Sequence, residues 1–226
     1  ISLKTDDGKR QVEFIKQSSL DDAIADEYAR VLAVKMNVTV TDTELQIFLK
    51  AQRQSADGEV SQQTYDAVIL DYYGWSPDEY QYATKVKLLR QKVTYALDTN
   101  ASNVSAALKP SVQVAGANFQ AIAADLDKSN PSIVTYGASG LVPKTNQDGG
   151  LATAAAKLQK GQVSDAVKSS AGDGYYYVRL LDINDSQVSY EYIQVPLTTF
   201  ADQLAKLQKD NKISRYISVT PATRTP

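Results

Sequence analysis

Between Ser76 and Leu97 the sequence leaves room for little but one long helix. Ser76-Pro-Asp-Glu79 places a hydroxyl at the N-cap, Pro at the first helical position and Glu where it can reach back to close a capping box. Tyr80, Ala83, Val86, Leu89, Val93 and Leu97 then recur at helical spacing as a single stripe. A rod with such a stripe needs partners, and the preceding residues supply them. Ser19 opens a pattern that sets Leu20, Ala23, Ile24, Tyr28, Val31 and Lys35 on one face, with Asp21 and Asp22 near the positive helix end. Thr41-Asp-Thr-Glu44 is a second capping box, ahead of Leu45, Phe48 and Leu49. After a loop at Ser55-Ala-Asp-Gly58, Ser61 caps a third helix carrying Tyr65, Val68, Ile69 and Tyr72, which Gly74 closes. Residues 1–100 thus read as an all-helical module of four or five helices.

The character changes after Asn100. Short helices are expected at Val104–Leu108 and Ala117–Leu126, followed by turn chemistry at Asn130-Pro131, Gly137, Gly140, Pro143 and Asp148-Gly-Gly150. An Ala-rich helix, Leu151–Leu158, stops at Lys160-Gly161. Asp165–Ser169 and Tyr175–Leu181 read as strands of a hairpin around Gly172-Asp-Gly174, and Val188–Val195 as a third strand. A helix at Thr198–Lys209 and a last strand at Ile213–Val219 precede a frayed Thr/Pro tail. The fold class is α+β. The helical module at 1–100 leads into a small domain with an antiparallel sheet at 101–195. A C-terminal helix and strand at 196–226 pack on either module.

Composition removes most of the usual chemistry. With no His there is no Ser-His or Cys-His machinery and no imidazole ligand; with no Cys there is no disulfide, thiolate or zinc-thiolate site. A net charge of −2 without a basic block argues against a nucleic-acid surface. No cofactor or metal site is expected. The carboxylates of Thr5-Asp-Asp-Gly8 and Asp182-Ile-Asn-Asp-Ser186 lack EF-hand spacing and read as turns. The start at Ile-Ser-Leu-Lys, without Met, reads as that of a processed chain.

Leu151 to Asp182 carries a fuller pattern. The run Lys157-Leu-Gln-Lys-Gly-Gln-Val-Ser164, a strand, and Gly174-Tyr-Tyr-Tyr-Val-Arg-Leu180 resemble the C-terminal half of parvulin-type peptidyl-prolyl isomerases, of the PpiC kind. Gly116-Ala-Asn-Phe119 is similar to that family's helix entry, and Tyr136-Gly-Ala-Ser-Gly140 stands where its Gly-Gly-Asp-Leu-Gly turn would be. The helical half resembles the N-terminal chaperone module of the SurA and PrsA class, through Met36-Asn-Val-Thr-Val-Thr-Asp-Thr-Glu44 and Tyr73-Gly-Trp-Ser-Pro-Asp-Glu79.

The resemblance implies a substrate groove and marks where this sequence departs from the family. Two groove histidines are usual, on the first and last strands. Tyr176 stands at the second position, and the first strand is missing, because residues 83–97 read as helix. Tyr95-Ala-Leu97 is one substitute. The better one is Val188–Val195, filling the vacant central slot as in a circular permutation, with Tyr192 at the lost histidine. Leu151 takes the place of a groove Phe, and Asp127 is the nearest acidic candidate at the head of the Gly-Gly turn. Separately, Tyr65, Tyr72, Tyr73, Trp75, Tyr80 and Tyr82 form a dense aromatic set; packing is its default reading, and a cradle for polypeptide, centred on Tyr72, Tyr73, Trp75 and Tyr80, the functional one.

Rotation about an Xaa-Pro bond breaks no covalent bond, so the loss of His is less damaging than it would be in a hydrolase. A thousandfold acceleration needs only ~4 kcal/mol of differential binding. Three readings follow. The favoured one is an exported folding factor that binds unfolded or extended polypeptide clients. The second is an isomerase with tyrosine in place of histidine. The third is a cell-surface structural or adhesion protein that keeps the fold without catalysis. The resemblance places the protein outside the cytoplasmic membrane, secreted or tethered by a membrane anchor beyond these residues.

Overall fold

The computed structural model describes residues 4–55, 58–217 and 219. Four helices form the first module: α1 (Asp6–Met36), α2 (Asp42–Gln52), α3 (Gln62–Tyr73) and α4 (Pro77–Leu97), with a two-residue hairpin of β1 (Gln54–Ser55) and β2 (Gly58–Glu59) before α3. Both capping boxes form, at Thr41/Glu44 and Ser76/Glu79, and Gly74 closes α3 in the left-handed conformation at φ 68°. α4 is the spine. Its Val93 packs with Ala29, Leu32 and Ala33 of α1, and its Leu88 with Leu45 and Leu49 of α2.

α1 begins well before Ser19, where the sequence pattern was expected to open. Thr5 is its N-cap, accepting from the Gly8 amide, and Asp6 and Asp7 sit in the first turn. The early turns have no apolar stripe because they bury no large apolar side chain: Phe14 is 62% exposed and Ile15 49%. Local pairs such as Lys9–Asp6, Arg10–Asp7 and Lys16–Glu13 line this stretch instead.

The second part starts with α5 (Thr99–Val112) and α6 (Phe119–Ser129), each longer or shifted relative to the sequence reading. Asp98 caps α5 by accepting from the Ala101 amide, and Asn118 caps α6 through Ala121. Pro110 lies inside α5, two residues from its end, and the helix runs on past it. A four-stranded antiparallel sheet follows, built from β3 (Thr135–Pro143), β4 (Val167–Lys168), β5 (Gly174–Ile183) and β6 (Gln187–Pro196) in the order β3-β6-β5-β4. β6 is therefore an interior strand, as the expectation of a centrally placed C-terminal strand required, and Tyr95–Leu97 is simply the end of α4.

β3 corrects the sequence reading, which saw only turns over these residues. Its glycines disguise a strand. Gly140, at φ 65°, sits in the bulge that shifts the β3–β6 register between Ala138 and Leu141. The hairpin strand expected at Asp165–Ser169 shrinks to Val167–Lys168, and the Ala-rich helix, α7 (Leu151–Ala155), stops short of Leu158. Residues 213–217 form no strand, and Tyr216 is 95% exposed. The expected tail beyond 219 lies outside the described residues.

Strand alternation gives the sheet two cores. Tyr175, Tyr177, Ile193 and Val195 face α5 and α6, around a fully buried Phe119 whose burial contributes roughly 1.5–3 kcal/mol. Tyr176, Val178, Leu180, Val188 and Tyr190 face α7 (Leu151–Ala155). The last helix, α8 (Thr199–Lys209), returns to the first module: Phe200 joins the α1–α4 core, and the Tyr28 hydroxyl donates to Gln203 at 2.7 Å. Asp98 ties this junction. Buried to 2% exposure, it accepts from the amides of Ala101, Thr198 and Thr199.

Candidate functional site

The sheet face opposite α5 and α6 is floored by tyrosines. Tyr192, on β6, stands opposite Val178 on β5, so Tyr176 is its diagonal neighbour on the same face. Their ring centroids lie 5.4 Å apart, and the Tyr190–Tyr192 centroids 6.4 Å. On the other side Tyr192 pairs with Gly137 of β3. A β-carbon at Gly137 would come within 2.5 Å of the Tyr192 Cζ and Oη, so only glycine lets this ring lie across the strand. Leu151 of α7 forms the buried apolar wall.

Two of the three hydroxyls are already committed. Tyr176 donates to Asp173 Oδ2 at 2.8 Å, and Tyr190 donates to Asp148 Oδ2 at 2.5 Å. Asp148 also accepts from Asn146 Nδ2 and from the Ala152 amide, which binds it to the start of α7. Burial pushes the Tyr176 phenol well above its ordinary range, and the bond to Asp173 adds to it; burial and then Asp148 do the same for Tyr190. Both therefore stay protonated at neutral pH, with their protons held by carboxylates. With their protons donated, the two oxygens have only lone pairs left to offer. Tyr192 is different: it is partly exposed, and its hydroxyl makes no hydrogen bond among the described residues.

Tyr176, Tyr192 and Leu151 thus come together on one face. Asp127 does not join them. It lies exposed on α6, which packs on the other face of the sheet, and it accepts from the Ser132 amide at 2.6 Å, closing the turn into β3. Tyr190, Asp148 and Asp173 were missed by the sequence reading. Tyr190 was within reach, since a period of two puts Val188, Tyr190 and Tyr192 on one face. The aspartates, read as turn residues, carried no such signal.

The helical aromatics divide. Tyr72, Tyr73 and Trp75 are 78%, 53% and 40% exposed at the corner between α3 and α4, with Tyr73 stacked on Trp75 at 5.4 Å. Tyr80 turns inward instead. Its ring meets Tyr65 edge-on and the two hydroxyls share a 2.8 Å hydrogen bond.

Comparison with protein-family models finds two overlapping matches. Residues 65–193, more than half the chain, match the PPIC-type PPIASE domain. The chain belongs to the PPIC-type PPIase family. Residues 3–94 match the SurA-like N-terminal domain, so the helical module is of SurA-like type. Both matches share residues 65–94, most of α3 and α4, as expected if the spine belongs structurally to both halves of this PPIase-family protein. Comparisons with curated proteins and with solved structures return no match. The two families together give the protein a role as a folding factor of the chaperone and PPIase kind.

Proposed function

We propose that the protein is an exported folding factor that holds non-native polypeptides on its helical module and receives their prolyl segments on the tyrosine face. The observation that carries this reading is the disposition of the three hydroxyls: Tyr176 and Tyr190 are locked by Asp173 and Asp148, while Tyr192, packed against the Leu151 cluster, makes no hydrogen bond among the described residues and can donate. An apolar wall suits the pyrrolidine ring. A phenol donor suits the amide as its resonance is broken, when the nitrogen becomes a better acceptor and binding to the twisted form strengthens. Without an imidazole the site works through desolvation and this hydrogen bond, so catalysis is modest. One hydrogen bond of about 0.5–1.5 kcal/mol supports a rate factor of roughly two to ten.

The exposed Tyr72, Tyr73 and Trp75 supply the client-holding surface, since aromatic rings offer large contact area at small entropic cost. Clients are extended polypeptides with apolar side chains, and the reading requires no cofactor or metal. The third reading, a scaffold without catalysis, has one observation in its favour: Tyr176, Tyr190 and Leu151 are only 6%, 2% and 4% exposed, so much of the floor is closed. Exchange NMR on short Xaa-Pro peptides separates the two. Acceleration that Tyr192→Phe reduces supports the prolyl groove, and no acceleration with no peptide binding supports the scaffold.

A further inference from the structure

Tyr176 owes its orientation to a turn that the sheet does not hold alone. Asp173 lies in the turn between β4 and β5, and α4 fastens that turn from the helical module. Gln91 donates from Nε2 to the Ser169 carbonyl at 2.8 Å. Tyr95 donates to the Gly174 carbonyl at 2.6 Å and lies 3.1 Å from the Ser169 carbonyl. The chain reverses at Gly172, φ 76°, directly over Gln91; a β-carbon there would meet Gln91 Cγ at 3.2 Å. The Tyr95 ring also packs edge-on against Tyr175 at 5.2 Å. Two side chains of one helix therefore fix carbonyls on either side of Asp173, four residues before it and one after.

We propose that Gln91 and Tyr95 are positioning residues for the tyrosine groove: by fastening the 169–174 turn they keep Asp173 on the Tyr176 hydroxyl, so that the hydrogen-bonding pattern of the groove depends on the helical module. The consequence for substrate rests on the prolyl-groove reading above. While the Tyr176 hydroxyl donates to Asp173, its oxygen has only lone pairs left for a substrate, and Tyr192 is the donor. If the turn is released, Tyr176 gains a free O–H beside Tyr192, and the fixed contrast between the two rings is lost. Preorganised donors are what a site of this kind has to offer in place of a titrating base. A client that moves α4 would alter the groove by the same route, and occupancy of the groove would act back on the module.

The test uses the whole chain with 13Cζ-labelled tyrosine and the variants Tyr95→Phe, Gln91→Met and their double, each close in shape and lacking the donor. Asp173→Ala serves as the direct cut, and Tyr176→Phe identifies the resonance. The expected result is faster exchange of the Tyr176 hydroxyl proton and a shifted Cζ resonance in the double variant, in the direction seen in Asp173→Ala. The Tyr190 signal, held by Asp148, stays in place as an internal control. Acceleration of peptide exchange falls alongside, by at most the roughly twofold to tenfold that the Tyr192 hydroxyl supports. An unchanged Tyr176 signal in a double variant of native stability overturns the proposal. A shifted Tyr176 signal with unchanged prolyl exchange upholds the positioning role and removes the prolyl-groove reading instead. Should the double variant not fold, Tyr95→Phe alone decides, because its ring contact with Tyr175 is retained.

Discussion

Tyr192 lies so close over Gly137 that a single β-carbon on the glycine would come within 2.5 Å of the phenol ring and its oxygen. The ring is therefore held by β3 from below and by Tyr176 and Tyr190 from the sides. Gly137→Ala is expected to push Tyr192 off the floor. Overpacking of this kind costs about 1–3 kcal/mol, read as a lowered denaturant midpoint, and it also reduces Xaa-Pro peptide binding. Retained binding with lowered stability would show that Tyr192 does not define the groove.

Tyr190→Phe removes the hydrogen bond that Asp148 accepts from the sheet. Asp148 keeps its bonds to Asn146 and Ala152, so the loss is about 1–2 kcal/mol and not a collapse. Thermal unfolding checks the magnitude. A neutral result would mean that the contact contributes only geometry.

Asp98 predicts a pH dependence. Burial raises its pKa, but the amides of Thr199, Ala101 and Thr198 outweigh burial and leave it below the ordinary value. A carboxylate depressed in the folded state stabilises above its unfolded pKa, and that stability is lost as pH falls through the folded one. The junction of α4, α5 and α8 should therefore weaken below about pH 4, the unperturbed Asp value. Asp98→Asn turns an N–H toward at least one of these amides at neutral pH, and we expect Tm to fall by roughly 2–10 °C. Acid titration of the wild type and the variant, followed by circular dichroism, checks both; equal acid sensitivity of the two would remove Asp98 from the account.

Replacing Tyr73 and Trp75 by Ala should leave stability within about 0.5 kcal/mol per site, because both rings are exposed and their ring contacts are with one another and with the exposed Tyr72. Suppression of aggregation of an unfolded client should fall. Unchanged suppression would move the client surface elsewhere on the module.

The helical module was legible wherever capping and burial coincide. Thr41/Glu44 and Ser76/Glu79 announced α2 and α4, and Gly74 announced the end of α3. The first turns of α1 were not, since turns that bury no large apolar side chain write no stripe; Thr5 and Asp6 mark its start. β3 was hidden for the opposite reason. Gly137 and Gly140 look like turn residues, yet one makes room for a ring that lies 55 residues away in sequence and the other sits in a bulge. Tyr176, Tyr192 and Leu151 followed from the family pattern and do share a face, while Asp173 and Asp148 gained meaning only when the sheet placed hydroxyls over them. The interior position of β6 was the expectation that most depended on topology, and strand order bears it out.

The central claim is that Tyr192 gives its hydroxyl to a bound prolyl amide. Exchange NMR of a short Xaa-Pro peptide with the wild type and Tyr192→Phe tests it most directly, because the substitution removes one oxygen and keeps the ring over Gly137. The account predicts acceleration by the wild type and a loss of about twofold to tenfold in the variant, at unchanged stability. Equal exchange rates with the two proteins, or none with either, would contradict it.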